Sequence, residues 1–351
     1  MAAMQFGRKT MKSSPIITRR TLLAGGAAAA AMLPSRGFAK TTTLRFATFI
    51  GPTSYINTDI FTPWFRQIEK ASNGTVRVEF LPGGSAAGPK EVFDAVTAGL
   101  VDIGWSISAY NPGRFNAAGI TELPVLTRTA DEGAAGMAAL TEAGMLDGFD
   151  DVKLIGIGSA DVGRLHHARD VSGLQDFKGA KVRAAGRVLS MMLEKIGGVP
   201  IGMPITSVAE ALAKNVIDGA AADWLSIDNF RLMDVTRTHL DIALGAPSMY
   251  MVMNRASYDR LPDAAKAAFD AASPRAFSEF WSARIMQESN RVREEVQAAD
   301  GHKIIENLGD AELAMWNGAA EEVIADWTAN TARGAEILDV YKTAVEKFRA
   351  A

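Results

Sequence analysis

Twice along this chain a run with helical spacing halts at a residue suited to left-handed backbone, and an apolar residue followed by aspartate comes next. Glu91-Val92-Phe93-Asp94-Ala95-Val96 leads through Gly99 to Val101-Asp102, and Ser207-Val208-Ala209-Glu210-Ala211-Leu212 leads through Asn215 to Ile217-Asp218. Gly and Asn tolerate that conformation best, so both are helix stops. The first copy closes a series: a strand over Thr43–Ile50, a helix over 58–72 with Ile60, Trp64 and Ile68 on one stripe, a strand over Val76–Phe80, a helix over Glu91–Ala98 and a strand over Leu100–Ser108. The second closes a similar one, with strands at Lys153–Ile157, Ala180–Arg183, Val199–Met203 and Val216–Gly219 and helices at Val188–Ile196 and Ser207–Ala213. Strands joined through helices by short links are parallel, so the pattern predicts an α/β fold of two lobes built on one plan. Met249–Asn254 adds one more strand, with Tyr250 and Val252 on one face. The helices 275–299, 311–327 and 331–349 follow, and the first is long enough to run across both lobes.

The first 39 residues carry six basic residues and no acid, and Thr21–Leu33 is an apolar run of thirteen. That length suits a signal peptide and falls short of the roughly twenty residues of a membrane span. Arg19-Arg20 just before the run matches a twin-arginine export signal, and a basic leader of the general secretory route is the alternative. Small residues at Gly37 and Ala39 place a cut after Ala39. The remaining 312 residues hold 31 basic against 40 acidic side chains, a net charge of −9. Such a surface is poorly suited to nucleic acid or anionic membranes. One local arginine can still hold an anion, because a distant field is screened over about 8–10 Å. No cysteine is present, so disulfides, thiolate metal sites and a lipid-anchoring cysteine are excluded.

Catalytic patterns are absent. The four histidines, His166, His167, His239 and His302, show no i, i+4 pair, and no HExxH, GxSxG, GxxxxGK[ST] or strand-to-helix GxGxxG occurs. No metal, cofactor or enzymatic activity is therefore expected. Arg183 is the basic residue that stands out. It ends a strand and precedes Ala184-Ala185-Gly186, and ligands of parallel α/β lobes bind beyond the carboxyl ends of strands. Its guanidinium matches a carboxylate through two parallel hydrogen bonds. From position alone, a ligand carboxylate and a neighbouring structural acid are equally good partners.

Asp176-Phe177-Lys178-Gly179-Ala180-Lys181-Val182-Arg183 resembles the D-x-K-G-x-K-[ILV]-R stretch of DctP-type TRAP-transporter solute-binding proteins. Gly197–Pro204 resembles their G-A-x-P-x-x-M-P, and Val208–Gly219 their V-Y-x-A-L-Q-x-G-V-V-D-G. Leu81–Gly104 is similar to their Gly-rich loop with E-V-x-x-A-V-x-x-G-x-V-D-[IM]-G, and Tyr258–Pro262 to [WY]-x-x-L-P. The resemblance runs in order from about residue 43 to 265.

It implies a two-lobed periplasmic-binding-protein fold with hinge strands and a long bracing helix. Lobe I would comprise 40–160 and 248–288, lobe II 161–247 and 289–351. It further implies a periplasmic receptor that captures an organic acid and delivers it to TRAP permease subunits in the membrane, without inserting there itself. An exported enzyme and a ligand-sensing receptor component are the alternatives. Arg183 would hold the carboxylate, and Arg164, near the family's earlier G-x-R arginine but offset by one, is a second candidate. Trp105, Trp224, Tyr55, Tyr250 and Met203 are candidate walls, with core packing as the competing role for each. The family's acid and asparagine after V-D-G give way here to Ala220-Ala221-Ala222-Asp223-Trp224, which removes a polar ligand contact, predicts a less polar pocket and argues against a sugar-acid or hydroxylated ligand.

Overall fold

The computed structural model describes residues 41–351, so the basic leader and its twin-arginine pair lie outside the described residues. In chain order the elements are β1 (Thr42–Thr48), α1 (Thr62–Ala71), β2 (Val76–Leu81), α2 (Val92–Thr97), β3 (Ile103–Ile107), α3 (Ala130–Glu142), β4 (Val152–Ser159), β5 (Arg164–His167), β6 (Lys181–Ala184), α4 (Arg187–Lys195), β7 (Val199–Gly202), α5 (Val208–Ala213), β8 (Gly219–Ala222), α6 (Trp224–Asn229), β9 (Thr238–Leu240) and β10 (Ser248–Asn254). The helices α7 (Arg255–Asp259), α8 (Asp263–Ala272) and α9 (Arg275–Ala298) come next, then β11 (Lys303–Ile305), α10 (Asp310–Asn330) and α11 (Gly334–Arg349).

Two sheets form, ordered β2-β1-β3-β10-β4 and β11-β9-β5-β8-β6-β7. The expected duplication is there in three dimensions. β2-β1-β3 and β7-β6-β8 are parallel triplets, and each is flanked by an antiparallel strand, β10 or β5. Gly99 and Asn215 both adopt left-handed backbone, with φ of 71° and 54°. The repeated aspartates make the same clasp in both sheets. Asp102 accepts from the Arg45 backbone N–H at 2.8 Å, and Asp218 from the Lys181 N–H at 2.9 Å.

The closing strands start later than expected. Leu100 and Val216 read as strand beginnings, yet both are exposed turn residues, and pairing starts only after the aspartates. An apolar residue directly after a left-handed stop is still leaving the helix, whatever its β propensity.

The chain crosses between sheets over residues 160–163 and again over 241–247. These hinge segments pair with each other, Ala160 N–H with Pro247 O at 3.0 Å and Gly163 N–H with Gly245 O at 2.8 Å. α9 makes a third crossing. Its first turns pack on β4, where Trp281 Nε1 donates to Ser159 O at 3.0 Å, and its later turns reach the second sheet, where Arg293 pairs with Asp241 at 2.8 Å. α10 lies against α4, and α11 returns to α3, where Tyr341 fills the space over Gly133 and Gly136.

Gly156 of β4 marks the tightest seat under the bracing helix, since a methyl group there would overlap the Phe277 ring. Gly156→Ala should lower stability by about 1–3 kcal/mol through this overpacking. A shift in the urea midpoint without a change in slope would report it.

Candidate functional site

Arg183 sits at the carboxyl end of β6, 4% exposed. Its Nε donates to Met203 O at 3.0 Å and Nη1 to Ala221 O at 2.9 Å. Nη2 donates to the Tyr110 hydroxyl at 3.2 Å. A guanidinium has five N–H groups, so one on each terminal nitrogen is left over. Among the described residues no carboxylate forms an ion pair with it, although its charge acts on the buried carboxyls of Glu122 and Asp223.

Tyr110 belongs to the turn after β3, in the opposite lobe. Its oxygen accepts from Arg183 and also from the Ile205 backbone N–H at 3.1 Å, so its own proton remains free to donate. The two bonds join the lobes directly over the guanidinium.

These groups face a cavity that leaves about 60 Å³ to the centre of a water-sized sphere. Its walls are largely aromatic and aliphatic. Phe49, Trp105 and Trp281 form a continuous face, with ring centres 5.4 Å apart for Phe49–Trp105 and 5.3 Å for Trp105–Trp281. Trp105 reaches it because Gly104, its neighbour on the other strand face, lets α2 lie against β3. A Cβ on Gly104 would come within 2.6 Å of Val92 and Val96. Leu225 and Phe230 close the side formed by α6, and Ile285 that of α9.

Polar groups are present as well, contrary to the less polar pocket expected from the alanines after β8. Asp223 lines the cavity and caps α6, accepting from Ser226 N–H at 2.6 Å, and burial pushes its carboxyl above the usual range. Asn229, at the other end of α6, lines it with both amide atoms buried and unpartnered. The Trp105 indole N–H is likewise unpartnered.

Of the seven residues singled out from sequence, Arg183 and Trp105 line the cavity. Met203 contributes its carbonyl oxygen to Arg183. The other four lie elsewhere for identifiable reasons. Arg164 is taken up by Asp241, which Arg293 also holds, and by the carbonyls of Val162 and Gly163. Trp224 faces into the second lobe, with its ring 5.3 Å from His166 and 5.4 Å from His239. Tyr250 packs in the first lobe against Phe93 and Phe115 and bonds Asn111. Tyr55 bonds the Arg284 carbonyl of α9 at 3.4 Å.

Three of the histidines form a chain: His302 Nδ1 to His239 Nε2 at 3.1 Å, His239 Nδ1 to His166 Nδ1 at 2.7 Å, and His166 Nε2 to Ala222 O at 3.1 Å. Because Ala222 O can only accept, each neutral ring in turn must donate inward. The chain is linear, and no group of three among the described residues is placed to hold a metal. No helix among them is long and apolar enough to cross a membrane.

Glu122, from the first lobe, places its carboxyl near the Leu189 N–H at the start of α4 in the second. Burial raises it to about 7, while that N–H and the Arg183 charge oppose the rise.

A family model described as bacterial extracellular solute-binding protein, family 7 (DctP) matches residues 46–330. A solute-binding protein of Albidiferax ferrireducens is 26% identical over 265 residues, covering 70% of this chain and 75% of that protein. A TRAP solute-binding protein from a marine metagenome, specific for aromatic acid ligands and crystallised with metahydroxyphenylacetate, is 28% identical with a TM-score of 0.83. That match covers 87% of this chain and 99% of the other. A TRAP solute-binding protein from Rhodoferax ferrireducens, with copurified benzoate, is 27% identical with a TM-score of 0.82 and covers 89% and 100%.

The folded chain holds a proton on Glu122 up to about pH 7, whereas the unfolded chain loses it near 4.5. The neutral form's contribution is thus complete below pH 4.5 and is lost as pH rises to 7. Glu122→Gln should gain stability relative to wild type across that window, by a few kcal/mol at most. Urea midpoints at pH 5 and pH 8 measure it, and a pH-independent difference would mean that the carboxyl ionises normally.

Proposed function

Because the chain belongs to the DctP family of bacterial extracellular solute-binding proteins, we propose that it closes on an aromatic monocarboxylate held by Arg183 and presents it to a TRAP permease. The observation that carries this reading is the buried guanidinium with two spare N–H groups at the end of an aromatic-walled cavity and no acid paired to it. A carboxylate there would accept both N–H groups in parallel, and the free Tyr110 proton could reach the same anion. The walls of Phe49, Trp105 and Trp281 suit a flat apolar body, as pockets with few polar anchors do. Similarity to proteins that bind metahydroxyphenylacetate and benzoate supports the same ligand class.

A second carboxylate on the ligand is disfavoured. Among the described residues Arg183 is the sole basic side chain on the cavity wall, and Asp223 lines it too. A dicarboxylate would place its other charge among apolar groups, with no cation to offset desolvation.

Closure and capture are coupled through Tyr110. Its bonds to Arg183 and Ile205 exist only when the lobes meet, so an open clamp has a looser anchor than a closed one. A ligand that bridges both lobes shifts the population to the closed state, whose joined surface a permease can distinguish from the empty form. The extracellular family and the basic, apolar leader support periplasmic placement. Binding without turnover is the function proposed.

Benzoate and phenylacetate should raise the melting temperature of the mature protein, whereas succinate and sugar acids should not. Arg183→Lys keeps the charge but lacks the fork, and Arg183→Ala removes both. Calorimetric titration should show losses of about 2–5 kcal/mol for the alanine variant and a smaller loss for lysine. Retained ligand-free melting would separate lost binding from lost folding. Wild-type affinity in Arg183→Ala would overturn the assignment.

A further inference from the structure

Resting on the aromatic-acid reading, we propose that Asn229 is a second polar anchor, one that selects acids carrying a hydroxyl group on the ring. α6 forms one wall of the cavity. It begins beside Asp223, two residues past the carbonyl that holds Arg183, and ends at Asn229. The rise from Trp224 to Asn229 is about 7.5 Å, so the amide lies at the end of this wall remote from Arg183.

Both Asn229 Nδ2 and Oδ1 are buried without a partner. A buried polar atom left unpaired costs about 1–3 kcal/mol, and native structures contain few of them. Asparagine near a helix end usually turns its amide onto nearby backbone. This one bonds neither its own helix nor the adjoining α9, and instead faces a cavity among Leu225, Phe230 and Ile285.

The amide's chemistry narrows the partner. It offers one acceptor and two donors, and a hydroxyl uses both kinds by donating to Oδ1 while accepting from Nδ2. A carboxylate could only accept, which would strand Oδ1. An ammonium could only donate, leaving Nδ2 unpaired. An unsubstituted ring would leave the whole amide unpaired. A site built to bond a hydroxyl discriminates strongly against the analogue lacking it, for the same reason. The ligand class is therefore a hydroxyaryl acid, with the carboxylate on Arg183 and the hydroxyl on Asn229.

Titration of the mature protein with phenylacetate and its 2-, 3- and 4-hydroxy derivatives tests this. Wild type should bind at least one hydroxylated isomer about tenfold or more tighter than phenylacetate, equivalent to about 1.4 kcal/mol. In Asn229→Leu that preference should fall below about threefold, with phenylacetate bound as well as before or better. Asn229→Ala replaces it if the leucine variant melts early. No hydroxyl preference in wild type, or one that survives both substitutions, overturns the role of Asn229 while leaving the Arg183 reading intact. Failure of wild type to bind any of the four acids overturns the aromatic-acid reading itself, and this inference with it.

Discussion

A guanidinium buried between two sheets, with no described carboxylate within ion-pair distance, is the constraint around which the rest of the molecule is arranged. Removing such a charge from water costs several kcal/mol unless hydrogen bonds replace its hydration. Here three acceptors do so in part: the carbonyls of Met203 and Ala221 from its own lobe, and the Tyr110 hydroxyl from the other. The first two hold the side chain in the second lobe whether or not the lobes have closed. The third ties completion of the site to closure. The two N–H groups that remain give an anion a reason to enter an otherwise apolar space.

Rigidity in the surrounding scaffold keeps that arrangement in register. The hinge segments are hydrogen-bonded to each other, so the lobes are joined by a paired ribbon and not by two independent linkers. α9 crosses alongside, anchored by Trp281 on β4 and by Arg293 on Asp241. Asp241 also holds Arg164, so one acid near the second crossing fixes a strand end and the bracing helix together. α11 returns to the first lobe, where Arg349 pairs with Glu132 at 2.7 Å. The two lobes are therefore joined by several paired contacts that leave few degrees of freedom between them.

The titratable groups near the hinge pull in opposite directions with pH. Glu122, Asp161 and Asp223 are raised chiefly by burial, Asp161 to about 6, and favour acid conditions. His166 and His239 are lowered, again chiefly by burial, so their contribution is present above about pH 6.5 and is lost as pH falls. The two sets offset each other between roughly pH 4.5 and 6.5, where each alone would tilt the stability curve.

Much of this was legible in the chain. The α/β duplication followed from helix period, stop residue and aspartate, each a local property of adjacent residues, and the Asp102 and Asp218 clasps show why the pattern repeats. Arg183 was legible because a strand end in a parallel lobe faces the cleft, whereas Trp105 sits in the middle of β3 and reaches the cavity from that strand's face. Trp224 opens α6 and packs its ring on His166 and His239, partners 58 and 15 residues away that no local pattern marks. Arg164 carried no mark of its partner, since Asp241 is 77 residues away. Tyr110 lies 73 residues from Arg183, in a turn without periodicity, and Asn229 is unremarkable until its amide is seen to have no neighbour. Sequence alone therefore determined the two sheets and the place of Arg183 at a strand end, because strand, helix and stop are decided within a few residues. Tertiary structure alone decided which side chains meet across the cleft and which polar atoms are left unpaired there, because both depend on surfaces that only closure of the two lobes brings together.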